Sequence, residues 1–577
     1  MSKSQSADAQ TGQPSPTNIR SKFTRSELAG AGTAIIGVIV IYLLRLDDVA
    51  GQFVDDAWYV LLSKALATGN GYTLINSPTP GILPLYPPAW PAVLSLIWKI
   101  TPQFPENILW MKGLSILAML VTGILTFRYL SFQRKLPTHI SFLISLAVVL
   151  TPAFVFVATV TLMSECMFVA VQMATVFCVE KSLTATNPKQ KWTLLFLGGI
   201  FASTSFLTRS MAVGLLLAII FYLPLKNKYR EAVTFIVLCG VLLGPWLLYK
   251  QAHSPTEEQR NEQKGYIVCD YKDQFWHQLA GGAGSSEIRI DQLPRRIRQN
   301  LINFFLRDSG GIIFSAFYRG PDESGDELMG MGYCWGSFSS FGLAPVTMII
   351  SGILSLFGLS GYVLLVRREV TLAEILVPFS LFVIMLWPWW PFRLVLPFTP
   401  FFLIYITTGF HQVVSGIQMF LRIQGTDNWT PTRLLLMTIV ALHLFDHGGH
   451  LLGKARIAQV EYPNWNKIFH SKKQLYNYIN QDTPKDAIIA CDNPAWVYLK
   501  TGRKTISSDF PGENWDSWKK TNVKFYITTG VKNNLIEEAV EPEYYHVVYD
   551  EPGIAAQVID LGDPETRPLV HDMKTKK

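Results

Sequence analysis

Residues 342–366 read GLAPVTMIISGILSLFGLSGYVLLV and contain no charged side chain. A transmembrane helix needs about 20 mainly apolar residues, so this stretch is long enough to cross a bilayer. The rest of the chain has the same character: of 577 residues, 49% are hydrophobic and only 16% are charged. Soluble domains carry about a quarter charged residues. The sequence therefore predicts a membrane protein.

Outward from this stretch, further apolar runs predict eleven spans in all. They lie near 28–46, 108–127, 138–157, 162–179, 192–208, 211–225, 232–249, 342–366, 372–388, 394–410 and 433–447. The polar residues 1–27 are predicted to form a disordered cytoplasmic tail. The first apolar run lacks a small-residue cleavage site, so we expect a retained span and not a signal peptide.

The distribution of Lys and Arg predicts the orientation of these spans. One set of connections carries Arg20, Lys22, Arg25, Arg128, Arg134, Lys135, Lys181, Lys189, Lys191, Lys226, Lys228, Arg230, Arg367, Arg368, Arg422 and Arg433. The short turns on the other side carry only Arg209 and Arg393. Because basic residues favour the cytoplasmic side, we expect the N-terminus inside and the segments 47–107 and 250–341 outside. The predicted location is the inner (plasma) membrane.

The region 448–577 has the composition of a soluble domain. A helix-like stretch at Lys472–Asn480 is followed by β-like runs at Ala487–Cys491, Lys524–Thr528 and Tyr545–Tyr549. This alternation predicts a small extracytoplasmic α/β domain. The predicted fold is thus a polytopic α-helical membrane domain over 28–447, followed by this C-terminal domain.

Several other kinds of site are weighed from single features. Nucleic acid is not an expected partner, because no basic stripe with interleaved aromatic residues occurs. Cys269 and Cys334 share one predicted outer loop and either pair in an oxidising compartment or stay as free thiols. His443 and His447, with Asp446 and His450 nearby, have a spacing that permits metal binding, but histidines satisfied by water or backbone are favoured.

The first predicted outer segment opens on two adjacent carboxylates, Asp55 and Asp56. Carboxylates at a membrane surface act as a general base, hold a divalent cation, or are simply solvated. Composition does not separate these readings. The residues that follow the pair supply further information. They are, in order, Trp58-Tyr59, Gly69-Asn-Gly71 and Tyr86-Pro87-Pro88.

This order resembles the first-loop signature of the GT-C glycosyltransferases, in particular the branch with protein O-mannosyltransferases and lipid A aminoarabinose transferases. Further weak matches follow in sequence: Met163-Ser164-Glu165, Leu207-Thr208-Arg209-Ser210, and Pro391-Phe-Arg393 with Pro397 and Pro400. The resemblance covers roughly residues 28–410. It implies a polytopic enzyme that takes a sugar from a polyprenyl-phosphate carrier on the outer face and transfers it with inversion.

The resemblance also implies roles for individual residues. Asp55 is expected to be the catalytic base, with Asp56 and Glu165 as further acidic residues of the catalytic site. The aminoarabinose transferases have Lys where this chain has Tyr86, so Arg209 and Arg393 become the candidates for binding the donor phosphate. The residues expected to line the substrate site are Tyr59, Tyr86, Pro87 and Pro88. A divalent cation is a possible cofactor, and the acceptor is open.

Two other classes of protein compete with this interpretation. A transporter or flippase of a lipid-linked saccharide would carry charged residues near the middle of its spans, whereas Glu165, Arg209 and Arg393 lie at predicted span ends. A non-catalytic assembly or sensor protein would leave the acidic segment unexplained. The sequence therefore favours a membrane glycosyltransferase.

Overall fold

The computed structural model describes residues 25–48, 50–51, 54–262, 271–276, 288–314, 344–388, 391–422, 429–460, 462–508, 511–528, 546–551 and 556–561. Most of the predicted tail, together with Cys269 and Cys334, lies outside these residues. The described part is mainly helical and ends in a small sheet.

The first half of the described chain is helical throughout. Its helices are α1 (Arg25–Arg45), α2 (Val54–Ala67), α3 (Ala89–Ile100), α4 (Ile108–Arg128), α5 (Thr138–Leu150), α6 (Pro152–Thr159), α7 (Glu165–Thr184), α8 (Pro188–Thr208), α9 (Val213–Leu225), α10 (Tyr229–Ala252), α11 (Glu257–Glu262) and α12 (Tyr271–Trp276). The boundary between α5 and α6 falls at Pro152, whose missing N–H ends the helical ladder, and the two helices are bent by 47°.

The second half contains further bundle helices and then the C-terminal domain. The helices are α13 (Leu293–Asn303), α14 (Ser309–Ile313), α15 (Ala344–Arg368), α16 (Leu372–Leu386), α17 (Pro391–Val395), α18 (Thr399–Phe420), α19 (Thr430–Val460), α20 (Tyr462–Asp482), α21 (Pro494–Thr501) and α22 (Pro511–Lys520). The strands are β1 (Ile488–Cys491), β2 (Lys504–Ser507), β3 (Val523–Thr528), β4 (His546–Glu551) and β5 (Ala556–Asp560).

Six helices in the described residues are long and apolar enough to cross a membrane, or seven if α5 and α6 form one bent span. The six lie on the predicted spans at 108–127, 162–179, 232–249, 342–366, 394–410 and 433–447. The predicted spans at 28–46, 211–225 and 372–388 coincide with shorter apolar helices. The chain is therefore a multi-pass membrane protein, while the count of eleven and the orientation stay predictions.

Small residues allow α15 and α18 to pack closely against each other. A Cβ added to Gly361 would lie 1.9 Å from the carbonyl oxygen of Tyr405, and one added to Gly409 would lie 2.0 Å from that of Phe357. Only glycine permits this approach, which is how helices gain van der Waals contact where lipid removes the hydrophobic driving force.

The C-terminal domain contains a five-stranded sheet in the order β2-β1-β3-β5-β4. The first three strands run parallel, and β5 and β4 complete the sheet as antiparallel strands. The predicted β-like runs coincide with β1, β3 and β4, whereas β2 and β5 were not predicted. The helix that holds the last predicted span, α19, continues to Val460, beyond the predicted domain boundary at residue 447.

Candidate active site

Four charged side chains predicted from separate motifs meet at one end of the helical bundle. Asp55 lies in the first turn of α2, and Glu165 is the first residue of α7. Arg209 follows the last residue of α8 in extended backbone, and Arg393 lies in the short helix α17. Carboxylates at helix N-termini and a cation at a helix C-terminus are favoured by the helix dipole. Asp55, Glu165 and Arg209 thus each lie at the helix end that suits the sign of their charge.

Arg393 is the centre of the cluster. Its Nη2 donates to Asp55 Oδ2 at 2.6 Å, and its Nε donates to Glu165 Oε1 at 2.5 Å. Arg209 Nη1 lies 2.7 Å from the same Glu165 oxygen. The cluster therefore pairs two carboxylates with two guanidinium groups, and their formal charges cancel.

Burial differs between the members of this cluster. The Glu165 side chain is 1% exposed, whereas Arg209, Asp55 and Arg393 are 13%, 18% and 24% exposed. Glu165 therefore anchors the two arginines from inside the protein. Asp55 and Arg393 are the more exposed members of the cluster.

Aromatic residues of the first segment complete the site around Asp55. The Tyr86 hydroxyl donates to Asp55 Oδ1 at 2.6 Å, and the rings of Tyr86 and Tyr59 lie 4.8 Å apart. The carbonyl oxygens of Tyr86 and Pro87 both accept from the Tyr72 hydroxyl, at 2.9 and 3.1 Å. Pro88 immediately precedes α3. The tyrosine at the position where the aminoarabinose transferases have Lys is thus a direct partner of Asp55.

Asp56 is not brought into the cluster. Its carboxylate is buried and accepts from the backbone N–H of Gly51 at 2.9 Å and of Ala57 at 3.0 Å. Desolvation by burial raises the pKa of Asp56 to about 7, the two amide donors working in the opposite direction. Asp56, unlike Asp55 and Glu165, therefore binds backbone N–H groups and not an arginine.

Two residues that the sequence did not single out also lie at the site. The Ser164 hydroxyl is 3.3 Å from both Arg209 Nη1 and the Tyr59 hydroxyl. Ser164 belongs to the Met163-Ser164-Glu165 motif, in which only Glu165 was predicted as a site residue. Tyr271 of α12 is close enough to hydrogen bond Ser210 and to interact with the charge of Arg209. It belongs to the segment 250–341 and was not among the residues predicted to form the site.

Two of the carboxylates that the sequence offered for a divalent cation are paired with arginines. Asp55 and Glu165 already bind the two guanidinium groups, and in the described residues only Glu165 Oε2 of this cluster is buried with no hydrogen-bond partner. No group of three or more His, Cys, Asp or Glu that could hold a metal occurs in the part of the chain that the structure describes.

The histidines near residue 447 are engaged with protein groups. His443 Nε2 lies 2.5 Å from the carbonyl oxygen of Ile313, and His447 bridges Arg45 and the carbonyl oxygen of Leu150. Both rings are buried inside the bundle. The backbone-satisfied interpretation, which the sequence favoured over a metal site, agrees with these contacts.

A solved structure supports the polytopic fold that the sequence predicted. The structure is similar to ArnT from Cupriavidus metallidurans bound to undecaprenyl phosphate, at a TM-score of 0.53 and 12% identity over 94% of this chain and 99% of that one. A weaker likeness, at a TM-score of 0.44 and 12% identity, is to the archaeal oligosaccharyltransferase AglB from Archaeoglobus fulgidus in complex with an inhibitory peptide and a dolichol-phosphate; it covers 95% of this chain and 76% of that one. The sequence matches no protein-family model and no curated protein.

Proposed function

We propose that this protein is an inverting glycosyltransferase that acts on the outer, extracytoplasmic face of the inner membrane. It would move a sugar from a polyprenyl-phosphate carrier to a lipid, glycan or protein acceptor. The observation that carries the proposal is the partly exposed Asp55–Arg393 pair, backed by buried Glu165. The carrier is supported by the undecaprenyl phosphate bound to ArnT, which has the same fold.

In this mechanism the donor phosphate competes with Asp55 for Arg393. Arg393 Nη2 turns to the phosphate, and Arg209 adds a second positive charge from beside it. Guanidinium groups suit this role because they bind phosphate oxygens through two parallel N–H groups. As the bond between the sugar and the phosphate breaks, the phosphate oxygen takes the electron pair and the two arginines stabilise its charge.

Asp55 then acts as the base. Released from Arg393 and still held by the Tyr86 hydroxyl, its carboxylate takes the proton of the acceptor hydroxyl or amine. The acceptor atom attacks the anomeric carbon on the face opposite the phosphate, which gives inversion. The products are the glycosylated acceptor, the free polyprenyl phosphate and a protonated Asp55 that returns its proton to water.

The test is transfer from a labelled polyprenyl-phosphate sugar by the purified protein in detergent or proteoliposomes. Asp55→Asn should abolish transfer while leaving membrane insertion intact, and the exposed Asp48→Asn serves as the matched control from the same segment. Retained turnover by Asp55→Asn would remove Asp55 as the base. Intact donor carried across proteoliposome membranes, with no cleavage, would favour a flippase.

A further inference from the structure

The C-terminal domain contacts the segment that carries the acidic pair at several places, and at two of them an asparagine side chain forms a hydrogen bond. At the first, the side-chain amide of Asn493 donates to the carbonyl oxygen of Gly51 at 2.8 Å. At the second, Asn76 and Thr505 form hydrogen bonds with each other. The backbone N–H of Thr505 donates to the backbone carbonyl oxygen of Asn76 at 2.8 Å, and the side-chain amide of Asn76 donates to the backbone carbonyl oxygen of Thr505 at 3.2 Å. Two asparagines thus bond across the same boundary in different places.

The first contact permits only glycine at position 51. Gly51 has a φ of +80°, and a Cβ there would lie 2.4 Å from the Trp496 ring. The ring of Trp496 also packs against two other side chains. The Phe104 ring lies 5.5 Å away between centroids, and Lys500 Nζ lies 5.0 Å from the centroid of the Trp496 ring. The backbone of Gly51 therefore packs directly against the ring of Trp496.

Gly51 also contacts the acidic pair directly. Its N–H donates to Asp56 Oδ2 at 2.9 Å, and Asp56 is 1% exposed. The chain just before Gly51 is held as well, because buried Lys112 binds the Asp47 carbonyl oxygen at 2.8 Å and the Asp47 carboxylate at 2.7 Å. Asp56 thus joins the first turn of α2 to a segment fixed on both sides.

Asp55 is the neighbour of Asp56 in that turn. Its two oxygens each meet a partner at 2.6 Å, Tyr86 on one side and Arg393 on the other. Contacts this short tolerate little movement of α2, and a misplacement of about 1 Å in a reacting group can cost on the order of a hundredfold in rate.

We propose that Asn493 and Trp496 are positioning residues for Asp55, acting through Gly51 and Asp56, so that docking of the C-terminal domain sets the geometry of transfer. The inference rests on the proposed function for the role of Asp55. The Asn76–Thr505 contact serves as the comparison, because it joins the C-terminal domain to the part of the segment that follows α2 and not to the Gly51–Asp56 link.

The test compares Asn493→Ala with Asn76→Ala in the full-length protein. For Asn493→Ala we expect kcat to fall on the order of tenfold with KM for the donor little changed, and amides around residues 50–57 to exchange with deuterium faster. For Asn76→Ala we expect kcat and exchange in this segment to stay near wild type. Equal behaviour of the two variants in exchange would overturn the inference, because docking in general would then explain both.

A paired substitution tests the same link without the hydrogen bond. Gly51→Ala should lower kcat and speed exchange near residue 55, and adding Trp496→Leu should recover part of both by making room for the new methyl group. No recovery would count against the contact as the route. The exchange measurement needs no substrate and is therefore independent of the proposed function. If the wild type transfers no sugar, the proposed function is refuted. Faster exchange at residues 50–57 in Asn493→Ala but not in Asn76→Ala would still support the positional link.

Discussion

The guanidinium of Arg393 lies 2.6 Å from the carboxylate of Asp55, although 338 residues separate them in the chain. The expected base is therefore engaged by a cation in the structure without substrate. A carboxylate in that state is a poor proton acceptor. In the proposed mechanism the donor phosphate competes for Arg393 and so releases Asp55, which gives the arginine a part in base release as well as in phosphate binding.

Arg393→Lys should lower kcat on the order of a hundredfold. A lysine ammonium is a point charge that cannot hold Asp55 and Glu165 in the fixed fork that Arg393 provides, nor bind phosphate through two parallel N–H groups. Steady-state transfer with a polyprenyl-phosphate sugar measures the change. The control is Arg298→Lys, an exposed arginine of α13. A kcat within twofold of wild type for Arg393→Lys would exclude this role.

Glu165→Gln should destabilise the fold by about 3–5 kcal/mol, because it leaves two arginines at a buried site without the anion they share. Glu369→Gln is the matched change at an exposed pair, since Glu369 is 73% exposed and lies 3.6 Å from Lys226. Exposed pairs contribute about 0–1 kcal/mol. Thermal unfolding in detergent compares the two, and equal Tm values would contradict the anchoring role of Glu165.

Tyr86→Phe should lower kcat on the order of tenfold, since hydrogen bonds to charged groups contribute about 1.5–3 kcal/mol. It removes the hydroxyl that orients Asp55 and keeps the ring that packs on Tyr59. Tyr59→Phe is the internal control: it alters the same aromatic pair, but its hydroxyl contacts Ser164 at 3.3 Å and not Asp55. The prediction fails if the two variants lose activity equally.

Asp56→Asn should change how stability depends on pH. Burial raises the pKa of Asp56 from 3.8 to about 7, so between these values the folded chain holds a proton that the unfolded chain has released. The stability of the wild type relative to Asp56→Asn should therefore fall as pH rises through this interval, and stay constant above about pH 7. Unfolding of both proteins at a series of pH values gives the difference. A difference that does not vary between pH 5 and 7 would contradict the raised pKa.

The residues of the candidate site were predicted from short motifs at the ends of apolar runs, which resemble those of the GT-C glycosyltransferases. Asp55, Glu165, Arg209 and Arg393 were each marked by a local motif, and the structure brings all four together. The separate fates of Asp55 and Asp56 were not predictable. Adjacent helical residues point about 100° apart, and which one meets Arg393 depends on how α2 is rotated against α7 and α17.

The sequence by itself determined that the chain is a membrane protein, where its apolar helices lie, and that a small α/β domain follows them. These properties follow from hydropathy and periodicity, which act over one or two turns of chain. Only the tertiary structure decided that Arg393 and Tyr86 both bind Asp55, and that Trp496 contacts Gly51. Such contacts depend on the packing of elements hundreds of residues apart, and no local pattern encodes which helix ends meet.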